Sequence, residues 1–203
     1  MQSLVISTLS NMLDSTPINP TREQCFLAHL ICKNLTDLCE TGISILNNTK
    51  IKAPKNVMIT LPNIDVMTQC RYILNNFYTD KMFKTDDEYG NLPIWEEINK
   101  FPREKQLTAC KIYRCLKENI LDKPDSKLLQ SAIKKRNKEY FIKNFDNIFA
   151  NIPFQTYLNQ FKNFISTDYV KKDDQELIWE FFDSLIDILM SEVENLNQLK
   201  NIK

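Results

Sequence analysis

The sequence predicts an all-α fold, a compact bundle of seven to eight helices around a long C-terminal helix. Three observations predict it. Glycine occurs only twice in 203 residues, as Gly42 and Gly90, too rarely for the turns of a multi-stranded sheet. Apolar residues recur at three- and four-residue spacing along most of the chain. The eight prolines fall largely between those periodic stretches, where they stop one helix and admit the next.

The elements follow in order. Leu4, Val5, Leu9, Met12 and Leu13 form a helical stripe that Pro17 and Pro20 end. Thr21-Arg22-Glu23-Gln24 has the form of a capping box, in which the threonine oxygen accepts from a free amide and the glutamine reaches back. A long helix to about Asn47 follows, with Ala28, Ile31, Leu35, Leu38 and Ile45 on one seam and Cys25, Cys32, Cys39 and Leu46 beside it. Gly42 lies on that seam. It costs roughly 1 kcal/mol of helix propensity, and its expected return is close approach of another backbone.

A polar loop at 48–56 leads to Val57-Met58-Ile59-Thr60-Leu61, the one strand-like run. Pro62-Asn63 opens a helix carrying Val66, Met67, Cys70, Ile73, Leu74, Phe77 and Tyr78. Residues 79–93, with the acidic run Asp86-Asp87-Glu88 beside Tyr89, are the main irregular segment. They are also the place where the chain divides, if its single domain of 1–203 divides at all. As an acidic surface loop, the segment offers Tyr89 for phosphorylation or docking.

A short helix then carries Ile94, Trp95 and Ile98. Pro102 is suited to the first position of the next, which runs to about Leu121 with Ala109, Ile112, Tyr113, Leu116 and Ile120 inward. Asp122-Lys123-Pro124-Asp125-Ser126 is a stop and restart. Leu129, Ala132, Ile133, Arg136 and Tyr140 then read as one helix, after which Phe141, Phe145, Ile148 and Phe149 shift the stripe. Beyond Pro153, residues 154–165 read as one amphipathic helix. Asp173-Asp174-Gln175-Glu176 starts the last one, which the pattern carries to Leu199: about 26 residues, or roughly 39 Å. Its first half is apolar nearly all round, as a central helix should be.

Composition excludes several function classes. Two glycines cannot build a P-loop or a dinucleotide-binding turn. No apolar run is long enough to cross a membrane, so no membrane partner is expected. Met1 to Ile6 lack the basic start of a secretory leader. The six cysteines therefore read as reduced, buried thiols of an intracellular protein, cytoplasmic, nuclear or virion-associated. By the same reasoning the sequons at Asn34 and Asn47 are chance matches. Asn, Ile and Lys number 21, 22 and 21, and Lys outnumbers Arg 21 to 5. This bias is that of an A/T-rich genome.

Two constellations could carry chemistry. Cys25, His29 and Cys32 lie at i, i+4 and i+7 on one helix face, and His29 is the only histidine. They are the one candidate for a metal or an activated thiol, although a metal would need a fourth ligand from elsewhere. The alternative is that they are core residues. No carboxylate pair has acid/base spacing, and no cofactor is expected.

The second constellation is electrostatic. The net charge of zero hides −3 over residues 1–99, +8 over 100–143 and −5 over 144–203. Within the basic third, Lys127, Lys134, Lys135, Arg136 and Lys138 precede Tyr140. Cations beside an aromatic ring can bind phosphates and stack bases. The intramolecular alternative is that this segment pairs with the acidic C-terminal helix.

Residues 137–190 carry a resemblance. Asn137-Lys138-Glu139-Tyr140-Phe141 leads through Asn144-Phe145-Asp146 to Asp174-Gln175-Glu176-Leu177-Ile178-Trp179-Glu180-Phe181-Phe182. This stretch, about a quarter of the chain, resembles the C-terminal helical segment of uncharacterised proteins of large nucleocytoplasmic DNA viruses. The resemblance implies helices and a viral setting, but no activity and no catalytic residue. Taken together, the sequence leads first to a non-enzymatic helical protein that acts through contacts with another protein, as a viral structural or host-directed factor. It leads second to a nucleic-acid binder using residues 100–143, and third to a Cys/His metal- or thiol-dependent protein.

Overall fold

The chain enters its first described helix through a reciprocal cap. The Gln24 amide donates to Thr21 Oγ1 at 3.2 Å, and the Thr21 amide donates to Gln24 Oε1 at 2.9 Å. This is the capping box expected from the sequence. The computed structural model describes residues 20–48, 62–83, 94–152 and 155–191. The expected helix at 1–14, the loop and strand-like run at 49–61, the segment 84–93 with Tyr89 and Gly90, and the chain beyond 191 lie outside these residues.

The helices are α1 (Arg22–Asn48), α2 (Ile64–Leu74), α3 (Ile94–Lys100), α4 (Arg103–Ile120), α5 (Ser126–Lys134), α6 (Lys138–Ile148), α7 (Gln160–Ser166) and α8 (Lys172–Met190). A 3-10 turn at Asp80–Met82 and a single α-helical turn at Gln155–Leu158 complete the described structure, which contains no strand. The all-α expectation holds. The C-terminal helix α8 lies in the middle of the bundle, against α1, α4, α5 and α7, and shares that position with α1, which runs along α2, α4 and α8. One contiguous apolar core takes buried side chains from all eight helices. Its aromatic heart is Phe141 against Trp179 and Phe182, with ring centroids 4.7 and 4.9 Å apart and tilted or edge-on, the arrangement that ring quadrupoles favour.

Gly42 is a packing site, but a side chain rather than a backbone fills it. A Cβ placed there would stand 2.0 Å from Met67 Cε, 3.1 Å from Phe161 and 3.3 Å from Phe164. The missing side chain on α1 is thus the socket that receives Met67 from α2 and two stacked rings from α7.

The last helix does not run on to Leu199: α8 ends at Met190, where Ser191 turns extended with ψ of 109°. Three more helix boundaries differ from the periodic pattern. First, α2 stops at Leu74, because Asn76 Nδ2 donates to the carbonyls of Tyr72 (2.8 Å) and Ile73 (3.2 Å). Phe77 and Tyr78 are buried from the turn that follows. Second, residues 154–165 are interrupted at Asn159, so Gln155–Leu158 and α7 are separate.

Third, the stripe read as one helix across Arg136 is two. Arg136 has φ of 54°, a left-handed conformation that favours glycine. Its amide donates to Ile133 O at 3.0 Å and the Asn137 amide to Ala132 O at 2.8 Å. This is the double closure of a Schellman motif. Asn137 then caps α6, its Oδ1 accepting from the Tyr140 amide at 3.1 Å.

Carboxamide side chains stitch the remaining ends, satisfying carbonyls that would otherwise lack a donor. Gln106 on α4 donates to Ile98 O (3.1 Å) and Phe101 O (2.8 Å), fastening the end of α3. Asn119 donates to Ile148 O and Ala150 O just past α6. Gln175, near the start of α8, holds the preceding loop through Thr167 O at 2.7 Å.

Candidate functional site

The basic segment divides into residues turned inward and residues turned out. Arg136 is turned inward. Its Nη2 meets Glu176 Oε1 and its Nη1 meets Asp183 Oδ2, each at 2.5 Å. Nη1 also donates to Ile133 O at 3.0 Å, and the guanidinium lies 5.8 Å from the Trp179 ring. The Glu176 hydrogen bond, followed by that of Asp183, raises the Arg136 pKa further and keeps it cationic. The left-handed backbone at Arg136 aims this side chain back across α8. The same geometry engages its guanidinium within the chain while leaving it part-exposed.

Two more members of the predicted binding set are diverted. Lys138 forms a 3.7 Å ion pair with Asp168, whose exposed position makes the pair weak. Tyr140 is half-buried against the core, so its ring is no open stacking platform. Here the acidic C-terminal region takes up Arg136 and Lys138, and only that part of the segment follows the intramolecular alternative.

Lys127, Lys134 and Lys135 remain. All three are exposed and have no ion-pair partner among the described residues. They belong to α5 and its C-cap. Seven residues return a helix to nearly the same face, so Lys127 stands above Lys134 and Leu128 above Lys135. Leu128 is 62% exposed. Leu129, Ala132 and Ile133 anchor the opposite face in the core. The outcome is a short outward stripe of three exposed lysines along one side of an uncovered leucine. The sequence reading found the lysines and missed Leu128, whose neighbour Leu129 takes the core position.

The Cys25, His29 and Cys32 face lies in the core. Among the described residues no group of three His, Cys, Asp or Glu side chains could hold a metal ion. The i, i+4, i+7 spacing aligns the three along α1, but each is engaged separately. His29 is fully buried. Its Nδ1–H donates to the Phe77 carbonyl, which fixes the tautomer and leaves Nε2 without a partner among the described residues. The ring sits 5.2 Å from Phe101. Burial holds its pKa below the usual 6.5, against the opposing pull of the Phe77 carbonyl, so the ring is neutral.

Cys32 is sealed, and burial pushes its thiol up. Cys25 is paired not with His29 but with Cys110 of α4, whose thiol donates to it across 3.7 Å. None of the six cysteines is disulfide-bonded in the structure. No helix among the described residues is long and apolar enough to cross a membrane. No family model, curated protein or solved structure matches the chain.

Proposed function

We propose that the chain is a non-enzymatic interaction protein that binds an acidic surface of another protein through the outward face of α5. The observation that carries this reading is the exposure of Lys127, Lys134 and Lys135 beside Leu128, on a helix whose other face is fixed in the core. An uncovered leucine flanked by cations suits a partner that offers an apolar contact beside an acidic rim. The diversion of Arg136 and Tyr140 favours this over nucleic acid, since it removes the bidentate phosphate donor and the stacking ring. Extension to a virus-encoded structural or host-directed factor rests on the resemblance of residues 137–190 alone.

The test is a variant with Lys127→Glu, Lys134→Glu and Lys135→Glu. Affinity capture from native or infected cells should recover a stoichiometric protein partner with the wild type and lose it with this variant, at unchanged helicity. Binding of labelled 30-nucleotide single and double strands is measured in parallel at 50 and 200 mM salt. Tight binding with a steep salt slope that the triple variant abolishes would replace the protein reading with the nucleic-acid one.

A further inference from the structure

A second feature lies where the first turn of α1 meets the middle of α4. Cys25 is the first residue of α1 whose amide makes a helical bond, to Thr21 O at 3.0 Å. It faces Cys110 across 3.7 Å. The two residues are 85 apart in sequence and belong to different helices. Cys110 lines a cavity of about 270 Å³, walled by Gln24, the residue before Cys25, and by Tyr113, Lys117, Glu118 and Asp122; Cys25 itself lies behind that wall, in contact with Cys110. A cavity of that size is many times the ~10–15 Å³ that a single water needs, so hydrogen peroxide and small organic hydroperoxides fit it.

We propose that Cys25 and Cys110 form a peroxide-reactive dithiol, oxidised through this cavity to a reversible disulfide that ties α1 to α4. Cys25 is the nucleophile. The Cys110 thiol donates its hydrogen bond to Cys25, and this, more than any other factor, lowers the Cys25 pKa; Arg103 adds to the effect while burial opposes it. The proton is correspondingly held on Cys110, whose pKa is raised by the same hydrogen bond and by burial. A position in a helix's first turn further favours a thiolate.

The chemistry balances in two steps. The Cys25 thiolate attacks one oxygen of a hydroperoxide, the O–O bond breaks, and the other oxygen leaves and takes up a proton, as water when the oxidant is hydrogen peroxide. Cys25 is then a sulfenic acid. The Cys110 sulfur attacks the Cys25 sulfur, the S–O bond breaks, and the departing hydroxide leaves with the Cys110 proton as a second water. Two thiols lose two electrons and the peroxide gains them.

The molecule contains its own control. Cys39 of α1 and Cys70 of α2 are a second pair of neighbouring thiols, and both are fully buried. Burial and Cys70 push the Cys39 thiol well up, so it offers no thiolate.

The experiment treats reduced, folded protein with a small excess of hydrogen peroxide. Two of the six thiols should disappear, and the mass should fall by two hydrogens. Tryptic peptide 23–33 should be joined to 106–111, with fragmentation placing the link at Cys25 rather than Cys32, and dithiothreitol should reverse it. With Cys110→Ser, dimedone should trap a sulfenic acid on Cys25; with Cys25→Ser, Cys110 should stay unmodified. Absence of the Cys25–Cys110 link in the wild type overturns the proposal. So does a Cys39–Cys70 link forming at the same rate, since that means the thiols react only after unfolding. The wild-type peptide map decides even where a serine variant fails to fold.

Discussion

Two seams hold this bundle together by opposite means. Along α1, His29 is kept neutral and Gly42 receives Met67 and two rings, so the seam is closed by shape and neutrality. Between α5 and α8, Arg136 spans Glu176 and Asp183 at the protein surface, so the junction is closed by charge. The neutral seam should be intolerant of added volume and indifferent to salt. The charged junction should be sensitive to ionic strength and tolerant of volume.

The largest expected effect tests the neutral seam. Gly42→Val adds two methyl groups where a bare Cβ already meets Met67, Phe161 and Phe164. It should cost about 3 kcal/mol of unfolding free energy, equally at low and high salt. Pairing it with Met67→Ala should recover part of that loss in a denaturant titration, because the vacated methionine volume accepts the valine.

Next comes the charged junction. Arg136→Ala should cost about 2 kcal/mol, from two lost ion pairs and an exposed Ile133 carbonyl. Much of that difference should vanish in 1 M salt. Arg136→Gly loses the same contacts but relieves the left-handed backbone, so it should be about 1 kcal/mol less damaging than Arg136→Ala. Equal losses for the two would mean that the backbone conformation adds nothing to the cost.

A smaller effect comes from His29. Its pKa in the folded chain lies below the unfolded value of 6.5, so the unfolded state takes up the proton first as pH falls. The stability this group contributes is fully present above 6.5 and is lost as pH drops through the folded pKa. The melting temperature should therefore decline on acidification below 6.5. His29→Asn should flatten that slope while lowering stability by about 1 kcal/mol through the less well matched Phe77 carbonyl. A slope unchanged in this variant would assign the acid sensitivity to other groups.

The smallest stability effect belongs to the outward lysines. Lys127→Glu, Lys134→Glu and Lys135→Glu each touch nothing that holds the fold, and each should shift stability by less than about 0.5 kcal/mol. Loss of binding without loss of stability is what would separate this face from the Arg136 junction one residue away.

Much of the architecture was legible in residue spacing, because burial on a helix imposes a 3.6-residue period that the chain cannot disguise. The inward faces of α1, α4 and α8 follow from it, and the Thr21 box and the restart at Ser126 follow from capping residues and proline; that Gly42 would receive side chains rather than a backbone did not. The break at Arg136 was not legible. A helix end of this type is ordinarily marked by glycine, and here an arginine adopts the conformation because its side chain gains carboxylate partners 40 and 47 residues away. The abundance of asparagine was also read too narrowly, as genomic bias. Asn63, Asn76, Asn119 and Asn137 each satisfy backbone groups at a helix end.

The α5 face was half legible. Lysine exposure follows from composition, but which of Lys134, Lys135 and Arg136 turns outward is set by tertiary pairing. The Cys25–Cys110 approach was invisible in sequence, because it depends on how α1 crosses α4.

The turn at Arg136 has one further consequence, in the time domain. Helix ends ordinarily fray, and their amides trade hydrogen for deuterium ahead of the interior. Here Arg136 and Asn137 both donate their amides back into α5, while the Arg136 side chain is held by two carboxylates of a central helix. These two amides should exchange among the slowest in α5, and only when the α5–α8 junction opens. Their protection is a clock for that opening, readable at single-residue resolution in the resting protein.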